Sequence, residues 1–211
     1  MLLKSLTLLS AALMIAPLHD TPLPDLTIGT AMPAADVRMK DVTNIDVTLA
    51  GLKQQNGLLV IFSCNTCPFV IGSEGSEGWE GRYPGIAQLA REQGMGMVLV
   101  NSNEAKRENG DGFNDMQLRY RSKGFSCNYV LDKDHVVADA FGARTTPHVF
   151  LFDKDLRLAY KGAIDDNVDS AAGVKEPWLK NAMVALAAGK PIEPATTRNL
   201  GCSIKRVAAT H

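Results

Sequence analysis

The most constraining feature of this chain is a five-residue apolar run, Leu58-Leu59-Val60-Ile61-Phe62, that ends two residues before a Cys-x-x-Cys-Pro sequence, Cys64 to Pro68. The run is short, continuous and partly β-branched, which reads as a strand buried on both faces. A chain that places two cysteines just past such a strand puts them at a strand-to-helix junction. There a thiol lies at a helix N-terminus, where unpaired N–H groups and the helix dipole favour its thiolate. The thiolate is the nucleophile in disulfide exchange. The second thiol, one turn on, is within reach of a mixed disulfide formed on the first. Pro68 suits an early helical position, where its missing N–H would have had no partner.

The rest of the chain supplies matching elements. Asn44 to Leu49 alternates apolar and polar residues and reads as a half-buried strand. Gly72 to Gly81 reads as a loop or broken helix. Ile86, Leu89 and Ala90 carry helical spacing, and Met95 to Val100 is a second buried strand. Glu104 to Gly112, charged and Gly-containing, reads as a mobile surface loop. Phe113 to Lys123 is expected to be a helix stopped by Gly124, Tyr129 to Leu131 a short strand, and Val136 to Phe141 a helix ended by Gly142. Val149 to Phe152 is a third apolar strand, turned by Asp153-Lys154-Asp155 into a hairpin partner, Leu156 to Lys161. Pro177 to Ala188 is a helix with Trp178, Leu179, Met183 and Leu186 on one face. The alternation implies an α/β chain: a mixed central sheet with helices on both faces.

The length of 211 residues suffices for one domain with appended segments. Residues 1–16 begin with Lys4 and continue as an apolar run, the layout of a signal peptide and too short for a comfortable membrane span. Export to a periplasm or cell envelope is therefore expected, with membrane association only through this segment. Residues 17–25 read as a linker, 26–188 as the domain, and 189–211 as a C-terminal tail. A net charge of −1 gives no electrostatic case for nucleic acid.

Four cysteines, Cys64, Cys67, Cys127 and Cys202, admit three complete pairings, among which sequence does not choose. A structural disulfide and half of a zinc site are the alternatives to a redox pair. Zinc commonly needs two close ligand pairs, and neither a second Cys-x-x-Cys nor a close His pair is present. No metal and no cofactor beyond a redox-active Cys64–Cys67 disulfide is expected. Thr145-Thr146-Pro147 directly precedes an apolar strand, where a proline removes a ladder hydrogen bond. A cis Thr146–Pro147 bond would account for it, and a trans proline opening the strand is the alternative.

Together, Ile28-Gly29-x-x-x-Pro33, the strand Leu58 to Phe62, Cys64-x-x-Cys67-Pro68, Thr146-Pro147 and Phe150-x-Phe152-Asp153 resemble the thioredoxin superfamily. The likeness is to its redoxin branch, which holds peroxiredoxins and exported TlpA-like oxidoreductases. It spans about residues 26–188. The tail Thr197 to Lys205, with Gly201-Cys202-Ser203-Ile204-Lys205, is similar to the ending of a group of bacterial thioredoxin-like proteins. The resemblance implies a thioredoxin fold, with Cys64 as the attacking thiol and Cys67 as the resolving thiol. It also implies a cis Pro147 facing the pair, and a Thr146 backbone that binds an extended substrate segment. The implied activity is that of a thiol–disulfide oxidoreductase acting on a protein partner.

The departures are specific. Peroxiredoxins carry a Thr three residues before the reactive Cys and a Pro further upstream; relative to Cys64 those positions hold Ile61 and Gly57, which argues against a thiol peroxidase. Asn65-Thr66 is neither the Gly-Pro of reducing thioredoxins nor the Pro-His of the oxidant DsbA, so the direction of exchange is not legible. Cys202 is a candidate third redox thiol or a small packed side chain, and Cys127 reads as structural; a Cys127–Cys202 disulfide stays open. His148 is placed by sequence near the pair. Two thiolates with a nearby His would also suit a copper-binding chaperone, though no Met- or His-rich patch accompanies them. Asp165 to Asp169 reads as a solvated turn, and Trp79 as packing.

Overall fold

The structure, a computed structural model, describes residues 23–208. The signal-like segment 1–16 and most of the 17–25 linker lie outside the described residues. A seven-stranded sheet forms the centre. Its strands are β1 (Met39–Asp41), β2 (Asp46–Val47), β3 (Leu58–Phe62), β4 (Gly96–Asn101), β5 (Asn128–Leu131), β7 (His148–Phe152) and β8 (Leu158–Gly162), in the spatial order β2-β1-β5-β4-β3-β7-β8. The β3–β4 and β4–β5 pairs are parallel, and the others antiparallel. Two further short strands, β6 (Thr145–Thr146) and β9 (Cys202–Ser203), pair with each other.

The pleat of β3 sorts the core. Leu59 and Ile61 face one apolar cluster, and Leu58, Val60 and Phe62 the other. The first cluster is closed by helices α2 (Pro68–Ile71), α3 (Tyr83–Glu92), α4 (Phe113–Ser122) and α6 (Trp178–Ala187), through Val70, Ala87, Ala90, Met116, Leu179 and Met183. The second is closed by α1 (Leu49–Leu52) and α5 (Val136–Phe141), through Leu49, Val137 and Phe141. Helices therefore cover both faces of a mixed sheet in a thioredoxin fold. All five residues of β3 are buried, as befits a strand flanked on both edges and both faces. In the second cluster Phe141 packs edge-on against Phe62, Phe150 and Phe152, with centroids 5.3–5.6 Å apart.

Two expectations need correction, over Asn44–Leu49 and over 104–112, while the loop expected from Gly72 follows a single helical turn. The alternation over Asn44–Leu49 yields only the two-residue β2, because Thr48 caps α1 with its side chain accepting from Gly51 N, which turns Leu49 into a buried helical residue. Past the cysteines, the helix is a single turn that stops at Gly72 (φ +86); any Cβ there would lie 2.7 Å from Glu77 O. The segment 104–112 is not a loose surface loop, for it carries the fully buried Asp111. Among the described residues no helix is long and apolar enough to cross a membrane.

Candidate active site

β3 delivers Ser63 and Cys64 at its C-terminal end, on the side of the first cluster. Ser63 N–H still pairs with Val100 O (2.8 Å), and its hydroxyl meets Tyr83 OH at 2.9 Å. The chain then leaves the sheet. Cys67 becomes the N-cap of α2, its carbonyl accepting from Val70 N and Ile71 N, with Pro68 at the first helical position. Cys64 and Cys67 are 2% and 4% exposed, and both are free thiols.

Thr146 faces both sulfurs. Cys64 Sγ lies 3.2 Å from Thr146 Oγ1, and Cys67 Sγ donates to Thr146 O at 3.1 Å. The Thr146–Pro147 bond is cis, as the proline before an apolar strand suggests. Thr146 and Pro147 thus stand where the sequence places them, beside the pair. The Thr146 backbone, however, is already engaged: β6 pairs antiparallel with β9, setting Thr146 opposite Cys202. The edge expected to receive a substrate segment is occupied by the chain's own tail.

That tail is built in. Ile204 is buried in the second cluster and its N–H bonds Arg144 O (3.0 Å). Lys205 N donates to Asn103 Oδ1 (2.9 Å), and Arg206 pairs with Asp139 at 2.6 Å. Gly201 passes so close to β6 that a Cβ would lie 2.4 Å from Thr146 O. Gly201→Ala should therefore lift β9 from β6 and cost roughly 1–3 kcal/mol. A thermal melt together with faster maleimide labelling of Cys202 checks this; unchanged labelling would contradict it.

Sequence reasoning missed Asp111 and its partners. The buried carboxylate of Asp111 accepts from Asn65 N (2.6 Å), Thr66 Oγ1 (2.7 Å), Asn101 Nδ2 (2.9 Å) and Asn103 Nδ2 (3.0 Å). Asn65 is held further by Gly110 O and Tyr129 OH, each at 2.9 Å. The dipeptide between the cysteines is thus clamped from the 104–112 segment. The polar run Asn101-Ser102-Asn103 at the end of a buried strand was the available signal.

The electrostatics divide the two thiols. The Cys64 thiol is pushed well above the ordinary range by its hydrogen bond with Cys67, by burial and by the Asp111 carboxylate. The Cys67 thiol is held down to about 5, first by the hydrogen bond from Cys64, then, against the cost of burial, by the Cys202 side chain, the Cys202 N–H and Thr146. The resemblance assigns attack to Cys64; the lowered pKa lies at Cys67, the residue that caps α2. The thiolate ultraviolet absorbance of the reduced protein should titrate near pH 5 and vanish in Cys67→Ser. A midpoint near 8.5, the value for a free cysteine, would contradict this. The sign of the linkage follows. A thiol with a depressed folded pKa adds stability to the reduced protein above its unfolded pKa, and that stability is lost as pH falls through about 5.

The other candidates separate from the pair. His148 lies on the face of β7 that carries Phe150, with ring centroids 4.4 Å apart, and not on the cysteine face. Its Nδ1 accepts from Arg144 N at 3.4 Å, and burial, Lys161 and Arg144 lower its pKa to about 4, so it is neutral at pH 7. Cys127 is packed near Arg91 and Asp41, its thiol pushed up to about 12 by burial. Cys202 pairs with Thr146 across β6 and β9, and both it and Cys127 are free thiols. Asp165, expected in a solvated turn, is buried and takes both Trp79 Nε1 (2.9 Å) and Arg82 Nη1 (2.7 Å). Among the described residues no group of three or more His, Cys, Asp or Glu is placed to hold a metal ion.

No family model and no curated protein matches the chain. Solved structures do. A hypothetical protein from Sinorhizobium meliloti is 31% identical, with a TM-score of 0.77, over 89% of this chain and 98% of that one. An uncharacterized conserved protein from Geobacillus kaustophilus is 27% identical, with a TM-score of 0.77, over 87% and 94%. The peroxidoxin BcpB from Mycobacterium tuberculosis shares the fold at 16% identity, with a TM-score of 0.54, over 77% and 98%. The chain has a thioredoxin fold and belongs to the family of the Sinorhizobium meliloti protein.

Proposed function

We propose that the protein is a thiol–disulfide oxidoreductase that exchanges disulfides with a protein partner through Cys64 and Cys67. The observation that carries this reading is the convergence of donors on one sulfur. Cys64 and Cys202 lie beside the Cys67 sulfur and hold its pKa down in a buried pocket, which stabilises a thiolate with a second thiol beside it. In this reading the Cys67 thiolate attacks a partner disulfide and forms a mixed disulfide. Cys64 then attacks the Cys67 sulfur, and the partner leaves as a dithiol. Asp111 holds the Asn65-Thr66 bridge so that the two sulfurs stay together. The basic-then-apolar segment 1–16 supports an exported setting, where disulfides persist.

The test is a single-turnover reaction of the reduced protein with a disulfide-bonded peptide, with hydrogen peroxide as the competing oxidant. The reading expects stoichiometric peptide reduction and a Cys64–Cys67 disulfide found by peptide mapping. Peptide left unreacted while peroxide is consumed would replace it with a thiol peroxidase.

A further inference from the structure

The dithiol mechanism uses Cys64 and Cys67, and leaves a third thiol that touches the same sulfur. β9 exists only as the partner of β6, and its register fixes Cys202 opposite Thr146, whose carbonyl bonds Cys67 Sγ. Cys202 packs against the apolar cluster that holds Cys67, and its thiol and N–H lower the Cys67 pKa. Cys67 is therefore flanked by two thiols. One is buried and the other, Cys202, is partly exposed. With the tail in place Cys67 is covered, and Cys202 is the outermost of the three sulfurs.

We propose that Cys202 is a third catalytic thiol, forming a Cys67–Cys202 disulfide that carries oxidising equivalents between the buried pair and a partner at the surface. The inference rests on the dithiol reading above and deepens it. Starting from a Cys64–Cys67 disulfide, the Cys202 thiolate attacks Cys67 Sγ. The Cys67–Cys202 bond forms and the Cys64–Cys67 bond breaks. Cys64 leaves as a thiolate and takes up a proton equivalent to the one Cys202 released. A partner thiolate then attacks the exposed Cys202 sulfur, and Cys67 departs as its stabilised thiolate. The partner's second thiol attacks the mixed disulfide and restores Cys202. The partner dithiol is oxidised to a disulfide and the chain regains three thiols.

Local chemistry favours the first step. In the reduced protein the Cys202 thiol is raised by burial and by its bond to Cys67. Once Cys67 is in a disulfide its charge is gone, and the Phe69 N–H and Lys205 remain to support a Cys202 thiolate. Gly201 and the anchors at Ile204, Lys205 and Arg206 hold the strand in place, so the reacting sulfurs are pre-positioned.

The test maps disulfides in the full chain after limiting oxidation with diamide and acid trapping, in the wild type and in Cys64→Ser. The inference expects Cys67–Cys202 peptides alongside Cys64–Cys67 in the wild type, and Cys67–Cys202 alone in Cys64→Ser. In Cys64→Ser loaded with glutathione on Cys67, further replacement of Cys202 by Ser should slow glutathione release by about a hundredfold or more, since an intramolecular attacker is lost. Wild type giving only Cys64–Cys67, with Cys202 alkylated throughout, overturns the relay and leaves the dithiol reading standing. Wild type giving neither disulfide overturns both. The wild-type arm needs no variant to fold.

Discussion

Cys67→Ser should abolish disulfide exchange, lowering the rate by at least about a thousandfold, because it removes the sulfur on which every step turns. Cys64→Ser should behave differently. It removes one resolving thiol but leaves the attacker, so the partner peptide should leave through a Cys67–Cys202 disulfide, and a mixed disulfide should accumulate on Cys67 once Cys202 is replaced by Ser as well. The asymmetry follows from geometry. Cys67 caps α2, with Cys64 and Cys202 lowering its pKa, whereas the Asp111 carboxylate opposes the ionisation of Cys64. Stopped-flow exchange with a disulfide peptide, followed by mass analysis of trapped adducts, separates the two variants. Adducts found on Cys64 in Cys67→Ser, and none on Cys67 in the Cys64→Ser, Cys202→Ser double variant, would reverse the assignment.

The second large effect is expected at Asp111. Its carboxylate, 0% exposed, satisfies four donors from Asn65, Thr66, Asn101 and Asn103. Asp111→Ala strands those donors without water. An unmet buried donor costs about 1–3 kcal/mol, and the loss should total several kcal/mol once partial collapse is allowed for. Asp111→Asn is nearly isosteric but offers an NH2 group to a site lined by donors, so it should recover only part of the loss. Chemical denaturation of the reduced protein measures this. The chemistry should shift too, since removing the negative charge beside Cys64 makes that thiol easier to ionise. The carboxamide variant, which keeps the shape, should show the Cys64 ionisation moving down. Stability within about 0.5 kcal/mol of wild type would mean the clamp is not structural.

These two residues mark what was and was not legible in the sequence. The apolar runs at Leu58–Phe62, Met95–Val100 and Val149–Phe152 announced the strands, because a strand buried on both faces leaves no polar positions to confuse the pattern. The expected helices over Phe113–Lys123, Val136–Phe141 and Pro177–Ala188 became α4, α5 and α6 with ends shifted by no more than a residue. Gly142 (φ +63) stops α5 as expected. Cys64, Cys67, Thr146 and Pro147 were legible because local motifs carry them. Asp111 was not. Its meaning lies in partners on another segment, Asn65 and Thr66, and a charged, Gly-containing stretch reads locally as a solvated loop. The role of the tail was hidden for the same reason. β9 is two residues long, and only its pairing with Thr145–Thr146 turns Cys202 from a lone cysteine into a neighbour of Cys67. Nothing local in Asn65-Thr66 reveals which of the two sulfurs carries the lower pKa.

The most direct measurement of the central claim is the reduction potential of the Cys64–Cys67 pair, by equilibration of the full chain with glutathione buffers and mapping of the disulfide formed. A thiolate held at about 5 stabilises the reduced form, so the account predicts a reversible two-electron couple less negative than thioredoxin's roughly −270 mV. Absence of a reversible couple between Cys64 and Cys67 would contradict the account.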